Sequence, residues 1–243
     1  MASFRHGKDT RVILANPTAD TIYDLSQFFN DVSISKTIET PETTTFSNGG
    51  IKTYIPGIKD SNLSLSGYYD GTASGVDAIL TEAISNDADD AVLAFPTGGN
   101  IPNDICYMAR AVEGKYDLKS PIGGVVAVDT EFAADGGVWR GRGQAMTITA
   151  SGNTVALDNG TATSRGGLLV IGVSALSGVL SLTFQQSDDG TTYTDITTPL
   201  VSVGTQVLTT GDLPQPLKRY TRLYYTLTGS SPSAKIFYGF ARY

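Results

Sequence analysis

Histidine and cysteine often carry catalysis or bind zinc, and this sequence has one of each. His6 lies in a polar N-terminal stretch, and Cys106 lies among apolar residues. A Ser-His-Asp or Cys-His site would have to be built on an N-terminal arm, which conflicts with the fixed geometry that catalysis needs. Zinc sites need several such ligands. We therefore expect no catalytic residue and no zinc site, and we expect Cys106 to be a small buried hydrophobic residue.

Carboxylates are the remaining candidates for chemistry. The acidic run Asp87–Asp90 could bind a hard cation such as Ca²⁺, but it lacks the spacing and the glycine of an EF-hand, so a solvated loop is favoured. The segment Asp188-Asp189-Gly190 is typical of a hairpin turn. Asp129 and Glu131 face one side of a predicted strand, as the acid pair of a glycan hydrolase would, and a solvated face is the favoured interpretation. The sequence predicts no metal site and no cofactor.

Aromatic residues suggest two binding surfaces. Trp139 with Arg140 and Arg142 could contact nucleic acid by stacking and charge, although a core tryptophan at the end of a strand is favoured. A second group near the C-terminus could form a sugar-binding platform, but strand alternation favours core and interface positions for it. Its members are Tyr220, Tyr224, Tyr225, Phe237, Tyr238, Phe240 and Tyr243.

Composition restricts the class of protein. The 243 residues carry a formal net charge of −7 and include 27 glycines, as expected for short strands joined by many turns. Residues 1–145 hold 11 Lys+Arg against 19 Asp+Glu, and residues 146–243 hold 6 against 5. The acidic first part argues against tight binding of nucleic acid. The sequence has no apolar run that suits a membrane span or a signal peptide, so we expect synthesis in a cytoplasm and no membrane insertion.

The pattern of apolar residues predicts a mainly β protein with one helix. Alternation predicts strands at Val32–Ile38 and within Thr43–Gly71, where Asn48-Gly49-Gly50 marks a reversal. Helical spacing predicts a helix over Val76–Ser85, with Ser74 as its N-cap. A turn is predicted at Asp135-Gly136-Gly137. Composition changes near residue 145, which predicts a first domain over 1–145 and a C-terminal all-β sandwich over 146–243. At Ser187–Gly190, Tyr193 and Arg219–Arg222 this second part is similar to jelly-roll or immunoglobulin-like modules.

Several segments in the first part resemble one protein family. They are Arg5–Lys8, Tyr23–Ser26, Glu42–Phe46, Lys52–Gly57 and Leu63–Gly67. In their order they are similar to the major tail (tail tube) proteins of long-tailed bacteriophages. The resemblance implies a β-sandwich flanked by one helix, with subunits in rings, usually hexameric, that stack into a tube for DNA. The implied partners are further copies, the tape measure, tail terminator and baseplate proteins, and viral DNA that passes without specific binding. The implied location is the virion tail.

The same resemblance assigns the loop around Asn48 to contacts between subunits. A long polar connection that contains glycine is the type of element that becomes ordered against a partner. The expected contact residues are Thr45, Phe46, Asn48, Gly49, Ile51, Lys52 and Tyr54. The main alternative is a capsid or tail decoration protein whose residues 146–243 bind host surface glycans.

Overall fold

The computed structural model describes residues 7–17, 19–45, 49, 51–85, 90–202, 204, 206–214 and 216–243, with only the backbone of 208–210. The first part of the chain has a 3₁₀ turn, Gly7–Asp9, and one helix, α1, Val76–Ser85. Its strands are β1 Arg11–Asn16, β2 Thr21–Asp24, β3 Phe29–Ile38, β4 Lys59–Tyr68, β5 Asp90–Phe95, β6 Asp104–Lys119 and β7 Ala127–Ile148. Further strands follow as β8 Gly152–Asn153, β9 Leu157–Asp158, β10 Gly167–Ser187, β11 Thr194–Asp195, β12 Leu200–Ser202, β13 Gln206–Leu213 and β14 Tyr220–Arg242. The protein is mainly β with one helix, which confirms the predicted fold class.

All fourteen described strands belong to one antiparallel sheet, and the longest strands connect its parts. The first half of β7 pairs with both β4 and β6, and its last residues, 142–148, pair with β14. The predicted boundary between residues 145 and 146 therefore lies inside β7. The predicted turn at Asp135-Gly136-Gly137 is wrong, because β7 continues through it as a bulge. The glycines take φ angles of +72° and +93°, which absorb the extra residues opposite β6.

The helix covers a first core on one side of the sheet. Val76, Ile79, Leu80 and Ala83 are buried on a single face, as their spacing predicts. That face belongs to the same core as Leu63 and Leu65 on β4 and Phe132 on β7. The helix has the predicted bounds. The predicted N-cap is wrong, because Gly75 rather than Ser74 precedes the first helical residue, and a side chain at Gly75 would overlap the backbone of Asp70.

A second core lies on the other side of β1, β5 and β6. Ile13 and Leu93 point into it, while their neighbours Val12 and Val92 point into the first core. Strands β10 and β14 supply its far wall through residues such as Val170 and Phe237. The sheet curls until β13 lies beside the β1–β2 turn, where the Val207 N–H donates to Asp20 Oδ1 at 3.0 Å. Strands β1 and β5 are buried on both faces, and for this reason they consist almost wholly of apolar residues.

A third core fills the C-terminal part. Strands β10 and β14 pair along nearly their full length, from Gly167 opposite Arg242 to Ser187 opposite Tyr220. Their inward residues, including Leu182, Phe184 and Leu223, pack together with Leu217. Among the described residues, no helix is long and apolar enough to cross a membrane.

Candidate assembly interface

The connection between β3 and β4, residues 39–58, forms an arm that extends the β3–β4 hairpin. The Glu39 N–H donates to the Ile58 carbonyl at 2.9 Å, and the Thr43 N–H donates to the Thr53 carbonyl at 2.8 Å. The Ile55 N–H donates to the Pro41 carbonyl at 3.1 Å between them. The two sides of the arm thus pair through spaced hydrogen bonds, although they do not form regular strands.

Side-chain contacts between the two sides of the arm reinforce this pairing. The Lys52 ammonium pairs with Glu42 Oε2 at 2.9 Å, and the Thr43 and Thr53 hydroxyls lie 3.2 Å apart. The hydrogen bonds from Lys52 and Thr44 lower the pKa of Glu42. These contacts hold the sides together at the surface, where Glu42 and Lys52 remain largely exposed. Backbone and side-chain contacts thus hold residues 39–45 against residues 51–58 within one molecule.

The apolar side chains of the arm have no core of their own. Ile51 is 71% exposed, Tyr54 54% and Ile58 73%, whereas Leu63 and Leu65 on the adjoining β4 are fully buried. A contiguous set of exposed large apolar side chains marks an interaction surface. The arm is therefore the strongest candidate interface in the described chain.

The structure places the described members of the predicted contact set on this arm. Thr45, Gly49, Ile51, Lys52 and Tyr54 all lie on it and are exposed. Gly49 has a φ of +61°, as the predicted reversal at Asn48-Gly49-Gly50 requires. Phe46 and Asn48 lie outside the described residues.

The prediction omitted three exposed apolar residues of the same surface, Ile38, Ile55 and Ile58. The sequence did carry a signal for two of them. Ile55 and Ile58 flank Pro56-Gly57, a turn signal, and turns lie at the surface of a protein. Ile38 gave no such signal, because it ends a strand that alternates regularly.

Strand β3 adds an open sheet edge beside the arm. Among the described strands it pairs only with β4, so its other side presents unpaired backbone groups. Five of its last seven residues are exposed, and the other two, Val32 and Ile34, are only partly buried against the first core. An edge of this type can accept a strand from another chain. Arm and edge together form one continuous candidate surface.

The acidic run before β5 does not behave as predicted. Asp90 is buried as the first residue of β5, so the interpretation of the whole run as a solvated loop is wrong at this position. Asp87 and Asp89 lie outside the described residues, as does His6. The described residues contain no group of three His, Cys, Asp or Glu side chains placed to hold a metal ion.

Other carboxylates serve local structure. Asp189 Oδ1 accepts hydrogen bonds from the backbone N–H groups of Thr191 and Thr192 at 2.8 Å, and these bonds lower the pKa of Asp189. The hairpin turn predicted there joins β10 to β11 and is confirmed. Asp129 pairs with the Lys119 ammonium, and Glu131 Oε1 accepts from the Asn62 side chain at 2.5 Å. Both members of the suggested acid pair thus engage neighbouring side chains.

The aromatic and thiol candidates are mostly packed inside. Phe237, Tyr238 and Phe240 are buried, so the sugar-platform interpretation is wrong for these three residues. Trp139 packs against the second core with its ring 4.6 Å from that of Tyr243. Cys106 is buried, as predicted, and its burial raises the pKa of the thiol.

The remaining members of the suggested platform do not share one flat surface. Tyr220 lies under the Arg219 guanidinium, 4.8 Å from its ring centre, and Tyr225 packs against the third core. Tyr224 is 38% exposed. A sugar platform needs several free ring faces side by side, and this arrangement leaves one ring of the group largely open.

No protein-family model matches the sequence, and no curated protein matches it. Three solved structures have a distantly similar course of the chain. A chain of the tail of an empty gene transfer agent particle with C6 symmetry is 14% identical, with a TM-score of 0.45 over 56% of this chain and 97% of that one. The SPP1 tail tube is 14% identical, with a TM-score of 0.44 over 56% and 77% of the two chains. The SPP1 Dit protein, described as a hub adsorption apparatus of phages that infect Gram-positive bacteria, is 13% identical, with a TM-score of 0.37 over 94% and 98%.

Proposed function

We propose that this chain is a structural subunit of a phage tail, without enzymatic activity, which associates with copies of itself through the arm and the β3 edge. The observation that carries the proposal is the arm: a hydrogen-bonded projection whose large apolar side chains are exposed. Burial of such side chains is favourable by about 25 cal/mol per Å² of apolar surface. A partner that covers Ile51, Tyr54 and Ile58 would supply the core that the monomer lacks.

The arm suits association of a particular geometry. It projects from one end of a hairpin, and in this proposal it contacts a different surface on the next copy. Contacts of this head-to-tail type generate closed rings or open stacks. In this proposal the rings, hexameric by resemblance to tail tube proteins, stack into a tube in the virion tail. Tape measure, terminator and baseplate proteins are its further partners, and DNA passes without specific binding.

The acidic first part of the chain supports the proposed passage of DNA. Residues 1–145 carry an excess of carboxylates, and a surface of like charge repels phosphate. Residues 146–243 form a second unit in this proposal, joined to the first through β7 and β14. We assign that unit a structural role on the tail surface.

The proposal is tested by comparing three single variants with the wild type. Ile51→Asp and Tyr54→Asp place a charge on the arm, and Val155→Asp is the matched control because it is 60% exposed outside the arm. We expect wild type and Val155→Asp to form rings or tubes in negative-stain electron microscopy, and the arm variants to remain folded monomers by circular dichroism and ultracentrifugation. Deletion of residues 47–52 should have the same effect. Wild-type protein that stays monomeric with the other tail components, or arm variants that still assemble, would refute the proposal.

Immunogold labelling of the native particle separates two placements of such rings. Labels along the whole tail indicate a tube subunit. Labels confined to the end of the tail indicate a terminal ring, and labels on the head contradict both placements.

A further inference from the structure

Two clefts that share Arg140 form a basic trough on the surface of the protein, next to the base of the arm, where Ile38 lines the larger cleft. The first cleft has a volume of about 490 Å³ and the second about 170 Å³, and Arg140 lines both. The trough is defined by five cationic side chains: Lys36, Lys59, Arg140, Arg142 and Arg242.

The bulge in β7 explains why the trough is open. Strand β7 pairs with β4 only as far as Ala133 opposite Asn62. Beyond this pair, Gly136 and Gly137 turn β7 away from β4, and Val138 enters the first core. The space left between the departing strand and the end of the β3–β4 hairpin that carries the arm is the larger cleft.

The register of β7 with β14 then brings the arginines together. Arg142 lies opposite Phe240 at the end of this antiparallel pairing, and the smaller cleft just beyond it is lined by Arg140, Arg142 and Arg242. Like charges that lie close together repel each other. The nearest polar groups recorded for two of them are neutral carbonyl oxygens: Arg142 donates to Asn103 at 3.3 Å and Arg242 donates to Asn159 at 3.2 Å.

No carboxylate compensates this charge within the described chain. Ion pairs form at Arg11, Lys52, Arg110, Lys115, Lys119, Lys218, Arg219 and Lys235, and none of these residues belongs to the trough. The protein as a whole carries a net charge of −7. A concentration of unpaired cations on an acidic protein is a surface that attracts an anionic partner.

Helix α1 carries the complementary charge, because Asp77 and Glu82 lie outside its buried face and the helix has no Lys or Arg. Asp77 accepts hydrogen bonds from the Tyr116 and Tyr69 hydroxyls, and Glu82 accepts one from the Tyr23 hydroxyl at 3.5 Å. In the described chain neither carboxylate forms an ion pair with a Lys or Arg side chain. The helix face and the trough are built from different elements, and no ion pair joins them within one molecule.

We propose that the basic trough of one copy receives the acidic face of α1 of a second copy. The contact joins two different surfaces and is therefore head-to-tail, like the arm contact, and it would set the orientation of neighbouring subunits. It rests on the proposed self-assembly, and its test uses Arg140 on β7 and Glu82 on α1, which lie outside the arm and β3.

A charge exchange tests this contact. Arg140→Glu and Glu82→Arg each place like charges across the proposed interface, so each should weaken self-association about tenfold. The double variant restores opposite charges with the signs exchanged and should return within about threefold of wild type, which only a direct pair would achieve. Arg165→Glu is the matched control, because Arg165 is an exposed arginine outside the trough. Association is measured by sedimentation equilibrium, and folding by circular dichroism.

The outcomes separate this inference from the proposed function. Wild-type protein that does not associate refutes the proposed function. The trough contact alone is overturned if the arm variants disrupt association and Arg140→Glu leaves it unchanged. It is also overturned if the double variant associates no more tightly than the single variants. Binding of a fluorescent single-stranded DNA by the wild type that is lost in Arg140→Glu, without a change in self-association, overturns it in favour of nucleic acid.

Discussion

Replacement of Glu113 by glutamine should remove a pH dependence of stability that the wild-type fold carries. Glu113 lies on β6 and is 3% exposed. Its Oε1 accepts a hydrogen bond from the Thr130 hydroxyl at 2.5 Å, and its Oε2 meets no hydrogen-bond donor among the described residues. Burial raises the pKa of Glu113 from 4.5 to about 8, the Thr130 bond opposes this rise, and the nearby Asp90 carboxylate adds to it.

The direction of the effect follows from proton linkage. The unfolded chain releases the Glu113 proton near pH 4.5, whereas the folded chain keeps it to about pH 8. The folded state therefore binds more protons in this interval, and its stability falls as pH rises through it. At about 1.4 kcal/mol per pH unit, the loss reaches roughly 5 kcal/mol above pH 8. This is a large fraction of the roughly 5–15 kcal/mol that stabilises a typical domain.

Urea denaturation at pH 5, 7 and 9 measures this loss. Wild type should lose stability steadily across the series, whereas Glu113→Gln has no group to ionise and should lose several kcal/mol less. The glutamine keeps the size of the side chain and an oxygen that accepts the Thr130 bond, so the two proteins should agree closely at pH 5. Thr130→Val removes the donor that favours the ionised form and should move the end of the decline to higher pH. Parallel curves for wild type and Glu113→Gln from pH 5 to 9 would refute the reasoning.

Three further predictions concern packing. Gly67→Ala should destabilise the fold by about 2 kcal/mol or more, because the added carbon overlaps the Phe28 carbonyl. The control Gly114→Ala places its carbon in open space and should change the free energy of unfolding by no more than about 0.5 kcal/mol. Equal effects of the two variants in urea denaturation would contradict this prediction. Leu93→Ala removes a fully buried side chain from the second core and should lower the free energy of unfolding by about 2–5 kcal/mol, measured as a shift of the urea midpoint. A midpoint within error of wild type would show that this core does not hold the first and the C-terminal parts of the chain together. Cys106 should resist a thiol reagent in the native protein and react once per chain in denaturant, since burial raises the pKa of its thiol; rapid native labelling would place it at the surface.

Local periodicity was enough to predict several elements. The apolar spacing from Val76 to Ala83 fits one face of a helix, and the structure buries that same face. The alternation in β4 likewise appears as a strand with Leu63 and Leu65 inward. The turn at Asp188–Gly190 was predictable because its residues satisfy their own backbone groups. In these cases the physical cause of the structure lies within a few neighbouring residues.

The pairing of distant strands was beyond prediction from local pattern. The glycines at 136 and 137 are turn residues by type, and they form a bulge here because β6 continues on one side of them. Asp90 looks solvated in an acidic run, and it is buried because β5 begins at that residue. Such outcomes depend on which strand lies alongside, and the local sequence does not record that choice.

The sequence by itself determined that this protein is mainly β with one helix, that its first part is acidic, and that a loop around Gly49 projects as a turn. These properties follow from composition, periodicity and the backbone preferences of single residues. Only the tertiary structure decided that residues 39–45 and 51–58 of the arm are hydrogen-bonded to each other, with apolar side chains such as Ile51 and Ile58 exposed. It also decided that cations from four strands meet in one trough, because register and a bulge placed Lys36, Arg140 and Arg242 around common clefts. Charges far apart in sequence become a surface only when the sheet has formed.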